Sequence, residues 1–492
     1  MPAPRCGTRF GRVIVLAIDQ GTSGTKAIVV DGSGEVLALA EVPVRPAYLP
    51  DGGVEQDPEA LLASVLDAGR QALDACGAVA DCVALANQGE TVLAWDPASG
   101  DPLSSAIVWQ DCRSESVCAG MREHADELAA RTGLVLDPYF SAPKMAWLRR
   151  HVTTDGVVTT SDSWLVHQLT GEFVTDVTTA SRSLVMDLDS VEWDPRLLAM
   201  FGLADEPLPR LVACDEVVGV TSAFGGELPV GGLIVDQQAA LLAEGCVEPG
   251  SAKCTFGTGA FLLANAGTAA VRSSNGLTTS VAWRTREGTP YCVDGQVFTV
   301  ASALRWLVQL GLLSSSRDLD SACAPDSEGV LFVPALAGLA APWWQPDARA
   351  SFAGLSLATS RGGIVRAVVE GIAAQVAALV DVVDADMGTR IDCLRVDGGL
   401  THSRVLMQAQ ADLLQRPVEV YGSPHATALG AAAVGRMSVL PSCALADAIP
   451  SAAPAETYEP TWSADRAADA MSRWRSAVDR DLDLVVGRRG PT

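Results

Sequence analysis

The chain has 492 residues, 48% of them hydrophobic and 19% charged, so it holds material for large cores and is not a disordered protein. Its 35 basic and 59 acidic residues leave a net charge of −24. That balance argues against nucleic acid as a partner, because such affinity comes mainly from Lys and Arg on phosphates.

A single nucleotide stays open, since backbone amides and a metal can carry its charge locally. The length suggests about two to four domains. Met1 to Arg12 carries no long apolar stretch, and no uninterrupted apolar run reaches the roughly 18 residues of a membrane span. A cytoplasmic protein without membrane insertion is expected. The twelve cysteines include no C-x-x-C pair, and Cys76/Cys82 and Cys112/Cys118 each enclose five residues, which is no zinc-ligand spacing. Cys246, Cys254 and Cys292 lie in apolar surroundings and read as small core residues; free thiols fit a reducing compartment.

Val13 to Ile18 is a continuous apolar run, predicting a buried strand. It ends in Asp19-Gln20-Gly21-Thr22-Ser23-Gly24-Thr25-Lys26, followed by strands at Ala27 to Val30 and Val36 to Val44. A plain hairpin loop fits this segment. The apolar approach to Asp19 and the closing lysine favour a loop for phosphate and metal. Asp57-Pro58 predicts an N-cap and first position for a helix reaching Ala75. Short strands at Val83 to Ala86 and Ile107 to Trp109 end in the polar clusters Asn87 to Thr91 and Gln110-Asp111. Polar residues at successive strand ends are where α/β folds bind ligands. Asp137 to Arg150 reads as a loop opening a helix, and Asp176 to Ser183 as a small, polar turn near a cleft.

Gly232 to Asn265 is the densest stretch. The apolar run Leu233 to Val235 stops at Asp236, Gln237 and Gln238; a small-residue helical segment follows, then a strand broken by Gly257-Thr258-Gly259. A carboxylate at a strand end and a glycine turn together offer a base and an anion cradle. The reading is phosphoryl transfer with Asp236 as base. The Gly-Thr pairs at Gly21 and Gly257 stand 257 − 21 = 236 residues apart and suggest two related halves facing one cleft. Further on, Ile364 to Val382 predicts a core helix. Trp343 and Trp344 read as loop packing. Ser403 to Leu414 and Ala426 to Val434 are helical, the second able to pack closely; Ser451 to Pro460 reads as a surface connection, and Ala467, Met471, Trp474, Val478 and Leu482 mark the docking face of a last helix. No G-x-x-x-x-G-K-[ST] and no G-x-G-x-x-G after a strand occurs, so P-loop, Rossmann and protein-kinase readings have no motif.

Several segments in order resemble the FGGY carbohydrate kinases, and within that family the glycerol kinases: Ala17 to Lys26, Ile107 to Gln110, Asp137 to Ser141, Asp236 to Ala240, Phe256 to Phe261 and Asp397 to Gly399. Tyr139 to His151 fits the family's first signature, with Lys144 and Trp147 in place. In the second, Gly354-Leu355 and Arg366-Ala367 fit, but Gly363 stands where a histidine or another polar residue is expected. The resemblance implies an α/β chain of two RNase H-like domains of the actin and hexokinase superfamily, here 1–245 and 246–492, with a central cleft. It implies ATP-dependent phosphorylation of a terminal hydroxyl of a small polyol, with ATP and Mg²⁺ as cofactors. A homo-oligomer is left open. It places the polyol on Glu90, Trp109, Tyr139, Asp236, Gln237 and Phe261, the aromatics facing the carbon chain. It puts phosphates near Thr22, Ser23, Lys26, Thr258 and Gly259, adenosine against Gly398 and Gly399, and Mg²⁺ on Asp19.

Two departures stand out. The N-Q-R-E-T pattern of the glycerol kinases appears as Asn87-Gln88-Gly89-Glu90-Thr91, so the hydroxyl-contacting arginine is missing. Glycine there predicts vacant space for a longer substrate, or a replacement cation such as Arg113. Phe224 to Glu227 follows Thr221, Ser222 and Ala223, without the histidine phosphorylated in some relatives, so that control is expected to be absent. A pentulose kinase such as a xylulokinase and, from another class, an actin-like ATPase remain as alternatives. Tyr139, Trp109 and Phe261 speak against the last.

Overall fold

The computed structural model describes residues 13–450 and 453–488. The reading of the N-terminal dozen residues lies outside these. Two mixed sheets organise the chain. The first is built from β1 (Val15–Gln20), β2 (Gly24–Val30), β3 (Val36–Pro43), β4 (Cys82–Asn87), β5 (Val217–Thr221) and β6 (Leu228–Val235), in the order β5-β6-β4-β1-β2-β3. Two central strands, β1 and β4, are apolar nearly throughout and almost wholly buried, as strands covered on both faces must be. By contrast β3 alternates in exposure along the sheet edge. Helix α1 (Pro58–Cys76) covers one face; the Asp57 side chain caps it by accepting from the Glu59 N–H, and Gly77 ends it at φ 66°.

The second sheet repeats the plan. It comprises β7 (Ala252–Phe256), β8 (Ala260–Gly267), β9 (Thr278–Val281), β10 (Tyr291–Val297), β11 (Leu394–Asp397), β12 (Val418–Val420) and β13 (Glu456–Tyr458), in the order β9-β10-β8-β7-β11-β12-β13. In each sheet three antiparallel strands lead into two further parallel ones, β3-β2-β1-β4-β6 matching β10-β8-β7-β11-β12. An antiparallel strand closes both series, β5 and β13. The Gly-Thr echo thus has a structural counterpart: both turns join the first two strands of a sheet.

Between the sheets lie two small-residue helices, α2 (Asp236–Ala243) and α4 (Ala426–Val439), sharing one core with residues of both sheets. The long helix α3 (Arg361–Met387) backs the second sheet; it is apolar and long enough to cross a membrane, but it is packed inside a separate core that it forms with that sheet. Cys246, Cys254 and Cys292 are fully buried core residues. Trp343 packs edge-on against Trp474, and the Trp344 indole is bonded to the Gly276 carbonyl, as loop packing predicts.

Two segments differ from the sequence reading. Within Ser451 to Pro460, Glu456–Tyr458 is a strand, held because β12 would otherwise present an open edge; residues 451–452 lie outside the described residues. Asp176 to Ser183 is a one-turn helix, Val177–Ala180, because the Asp176 carboxylate caps it through the Thr178 and Thr179 N–H groups.

Candidate active site

Parallel pairing aligns the carboxyl ends of β1, β4 and β6. Gln20 is opposite Asn87 and Asn87 opposite Val235. That register gathers Asp19, the Asn87 to Glu90 cluster and Asp236 at one rim. Asp236 is the first residue of α2, and its Oδ1 accepts from the Gln237 N–H at 2.7 Å. Burial pushes its carboxyl up to about 7, with help from the nearby negative charges of Asp19 and Glu90. A half-neutral carboxyl facing a cleft is suited to take a proton near neutral pH. Burial likewise raises Asp19 to about 6, against the pull of Lys26.

The loop after Asp19 is closed by the Gly21 N–H on the Gly24 carbonyl at 3.1 Å, and the Gln56 amide bonds the Thr22 carbonyl at 2.8 Å. Ser23 is exposed, and Lys26 on β2 is half-buried opposite Asp19. The second turn is drawn tight by the Gly257 N–H on the Gly259 carbonyl at 2.8 Å. A Cβ on Gly259 would sit 2.4 Å from the Val297 carbonyl oxygen, so only glycine fits. Thr258 at its tip is exposed. Gly398, at φ 96°, and Gly399 form an exposed step after β11, whose Asp397 is opposite Thr255 of β7.

Three aromatics meet across the two halves. Trp109 is edge-on to Tyr139 at 5.5 Å and to Phe261 at 6.2 Å. The Tyr139 loop is held by Lys144, which is fully buried and donates to the Pro138 and Phe140 carbonyls at 2.8 Å and to that of Tyr139. Burial lowers this amine to about 8. Gln237 is oriented by a residue the sequence reading missed: Lys253 of β7, also fully buried, donates to its side-chain oxygen at 2.7 Å and to Thr255 Oγ1 at 2.8 Å. The Gln237 NH₂ is thereby left to donate into the cleft.

Arg182 was missed too, and it changes the reading of Gly89. Its Nε donates to Glu90, and its Nη1 to Asp294 of β10 at 2.7 Å. No local pattern announces it, because Asp294 is 112 residues away in the chain. The expected vacancy at Gly89 does not exist: a Cβ there would stand 2.9 Å from Val235 Cγ2, with Arg182 Cδ at 4.0 Å. Nor is Arg113 a replacement cation. Its guanidinium is committed to Asp111 at 2.7 Å and Glu55 at 2.8 Å, stacked over Trp147 at 4.6 Å. Gly363 faces Glu328, whose Oε2 would lie 2.7 Å from an added Cβ, so a larger residue there needs that carboxylate to move.

Residues 14–243 match the model of the FGGY carbohydrate kinase N-terminal domain, and residues 252–439 that of the C-terminal domain. The chain belongs to the FGGY family of carbohydrate kinases. Its enzyme class is that of an ATP-dependent sugar or polyol kinase. Among similar proteins is a glycerol kinase of Aromatoleum aromaticum, 40% identical, covering 96% of this chain and 99% of the relative. A glycerol kinase of Gloeobacter violaceus is 42% identical over 85% of this chain and 86% of its own. Among solved structures, a Plasmodium falciparum glycerol kinase with ADP superposes with a TM-score of 0.90 at 30% identity, covering 96% of this chain and 99% of that one. A xyloylose kinase from Brucella ovis reaches 0.86 at 25% identity, over 96% and 100%. For this FGGY kinase the two-domain α/β architecture of the family therefore holds.

Proposed function

We propose that this FGGY kinase transfers the γ-phosphoryl group of Mg·ATP to a terminal hydroxyl of glycerol. The observation that carries the reading is the Asp236 carboxyl, raised to about 7, at a rim that also bears the Trp109–Tyr139–Phe261 wall. Its support is the near-full-length similarity to glycerol kinases. Trp109 and Phe261 cover the carbon chain, while Glu90 and Gln237 bind hydroxyls. Asp236 takes the proton of the attacking hydroxyl. The Thr22–Ser23 and Thr258–Gly259 turns receive phosphates, with Lys26 balancing charge. Gly398 and Gly399 leave a flat step for adenosine.

Asp19 fits Mg²⁺. Its carboxyl has no hydrogen-bond donor among the described residues, and it shares the cleft with the phosphate turns. Mg²⁺ is commonly held through one or two carboxylates plus phosphate oxygens, and bound there it neutralises charge developing on the phosphates.

A coupled ADP-release assay across glycerol, dihydroxyacetone, erythritol, threitol, the pentitols and xylulose tests the substrate. Glycerol should give the highest kcat/KM. A preference for xylulose would assign the site to a pentulose, and turnover that no polyol or sugar stimulates would make the chain an ATPase of another kind. Asp19→Ala should move the Mg²⁺ titration to higher concentration; an unchanged titration removes Asp19 from that role.

A further inference from the structure

Position 89 carries no side chain, yet the site is not open there. Arg182 is 7% exposed, its Cδ borders the space above Gly89, and its guanidinium lies over the Tyr139 and Phe140 rings at 5.7 and 5.6 Å. Glu90 is 3% exposed, so its carboxylate would be costly to keep without a cation. The same guanidinium reaches Asp294, which belongs to the opposite sheet, and lies 3.5 Å from Ser280 Oγ of β9. Tyr139, Arg182, Gln237, Phe261 and Asp294 line one narrow cavity. A planar, forked cation is the side chain that can serve two carboxylates at fixed angles.

We propose that Arg182 is the positioning and length-limiting residue of the polyol site: it holds Glu90 toward the acceptor hydroxyls, ties it across the cleft to Asp294, and closes the space that Gly89 leaves. The inference rests on the polyol kinase reading. It adds which residue would hold the acceptor in place and keep longer polyols out. It also makes Glu90 depend on the opposite half of the molecule, so that half must be in place for the acceptor to be held.

The test uses Arg182→Gln and Arg182→Lys in the full chain, with glycerol and erythritol as acceptors. Arg182→Gln should raise the glycerol KM about 10–100-fold, the scale of a lost charge-assisted contact. Its kcat should stay within about fivefold and the Mg·ATP KM should be unchanged, while erythritol gains on glycerol in relative kcat/KM. Arg182→Lys, which keeps the charge but not the fork, should fall between. A wild-type glycerol KM in Arg182→Gln overturns the proposal, as does a parallel loss of Mg·ATP binding, which marks general damage to the fold. If the glutamine variant does not fold, the lysine variant decides: a raised glycerol KM with normal Mg·ATP KM supports the assignment, and a wild-type KM overturns it. A wild-type enzyme inactive on glycerol would overturn the functional reading itself, whereas an active wild type with an indifferent Arg182→Gln removes this proposal alone.

Discussion

The Trp109 indole N–H donates to Thr22 Oγ1 at 2.9 Å, joining the aromatic wall of the cleft directly to the turn between β1 and β2. An acceptor pressed against Trp109 therefore bears on the loop assigned to phosphate. Trp109→Phe keeps an aromatic face but removes the bond. A neutral hydrogen bond contributes about 0.5–1.5 kcal/mol, so the KM values for glycerol and for Mg·ATP should both rise about 2–10-fold. Steady-state kinetics with each substrate varied in turn checks this; an effect on glycerol alone would show that the bond carries no coupling.

Asp236→Asn should lower kcat by roughly 10²–10⁴, the usual effect of losing a general base, with little change in binding. Because the carboxyl of the free protein sits at about 7, wild-type kcat/KM should climb through pH 7 and level off above it, and the variant should lose that step. Stability carries the opposite sign. The folded state holds this proton over the window from the ordinary value of 3.8 up to about 7, so its contribution falls as pH rises through that window. Asp236→Asn should accordingly raise Tm more at pH 8 than at pH 5. Equal Tm increments at both would place the carboxyl back in the ordinary range.

Gly89→Arg should not create a better glycerol site. The new Cβ meets Val235, a β-branched residue with little rotamer freedom, directly before the proposed base. The expected outcome is a loss of kcat/KM on glycerol and on longer polyols alike, measured over the acceptor panel. A selective gain on glycerol would mean that Val235 and Arg182 yield easily.

Gly430→Ala tests the helix crossing that carries Asp236. A Cβ at Gly430 would stand 1.9 Å from the Ala239 carbonyl oxygen, so α2 and α4 must separate. Overpacking of this kind costs about 1–3 kcal/mol. The urea midpoint should fall and kcat with it, because Asp236 opens the displaced helix. Unaltered unfolding would show that the crossing relaxes without strain.

Much of this protein was legible in one dimension, for reasons of local chemistry. The short apolar run Val15 to Ile18, bounded by a polar loop, fits a buried strand, Asp57-Pro58 pairs a capping side chain with a proline at the first helical position, and Gly21 and Gly257 each sit between two short apolar runs, as hairpin turns do. Aspartates that terminate apolar strands, Asp19 and Asp236, declared themselves because a carboxylate there must face a polar rim. The pairing of side chains across the cleft was not legible. Gly89 looked like a vacancy because sequence shows a missing side chain but not the neighbours that fill its volume, here Val235 and Arg182. Arg113 and Arg182 are chemically alike in the sequence. What separates them is that the fold sets the first between Asp111 and Glu55 and the second between Glu90 and Asp294. Ion pairs depend on distance in space. Residues far apart in the chain reach that distance only once two sheets and their shared helices have packed.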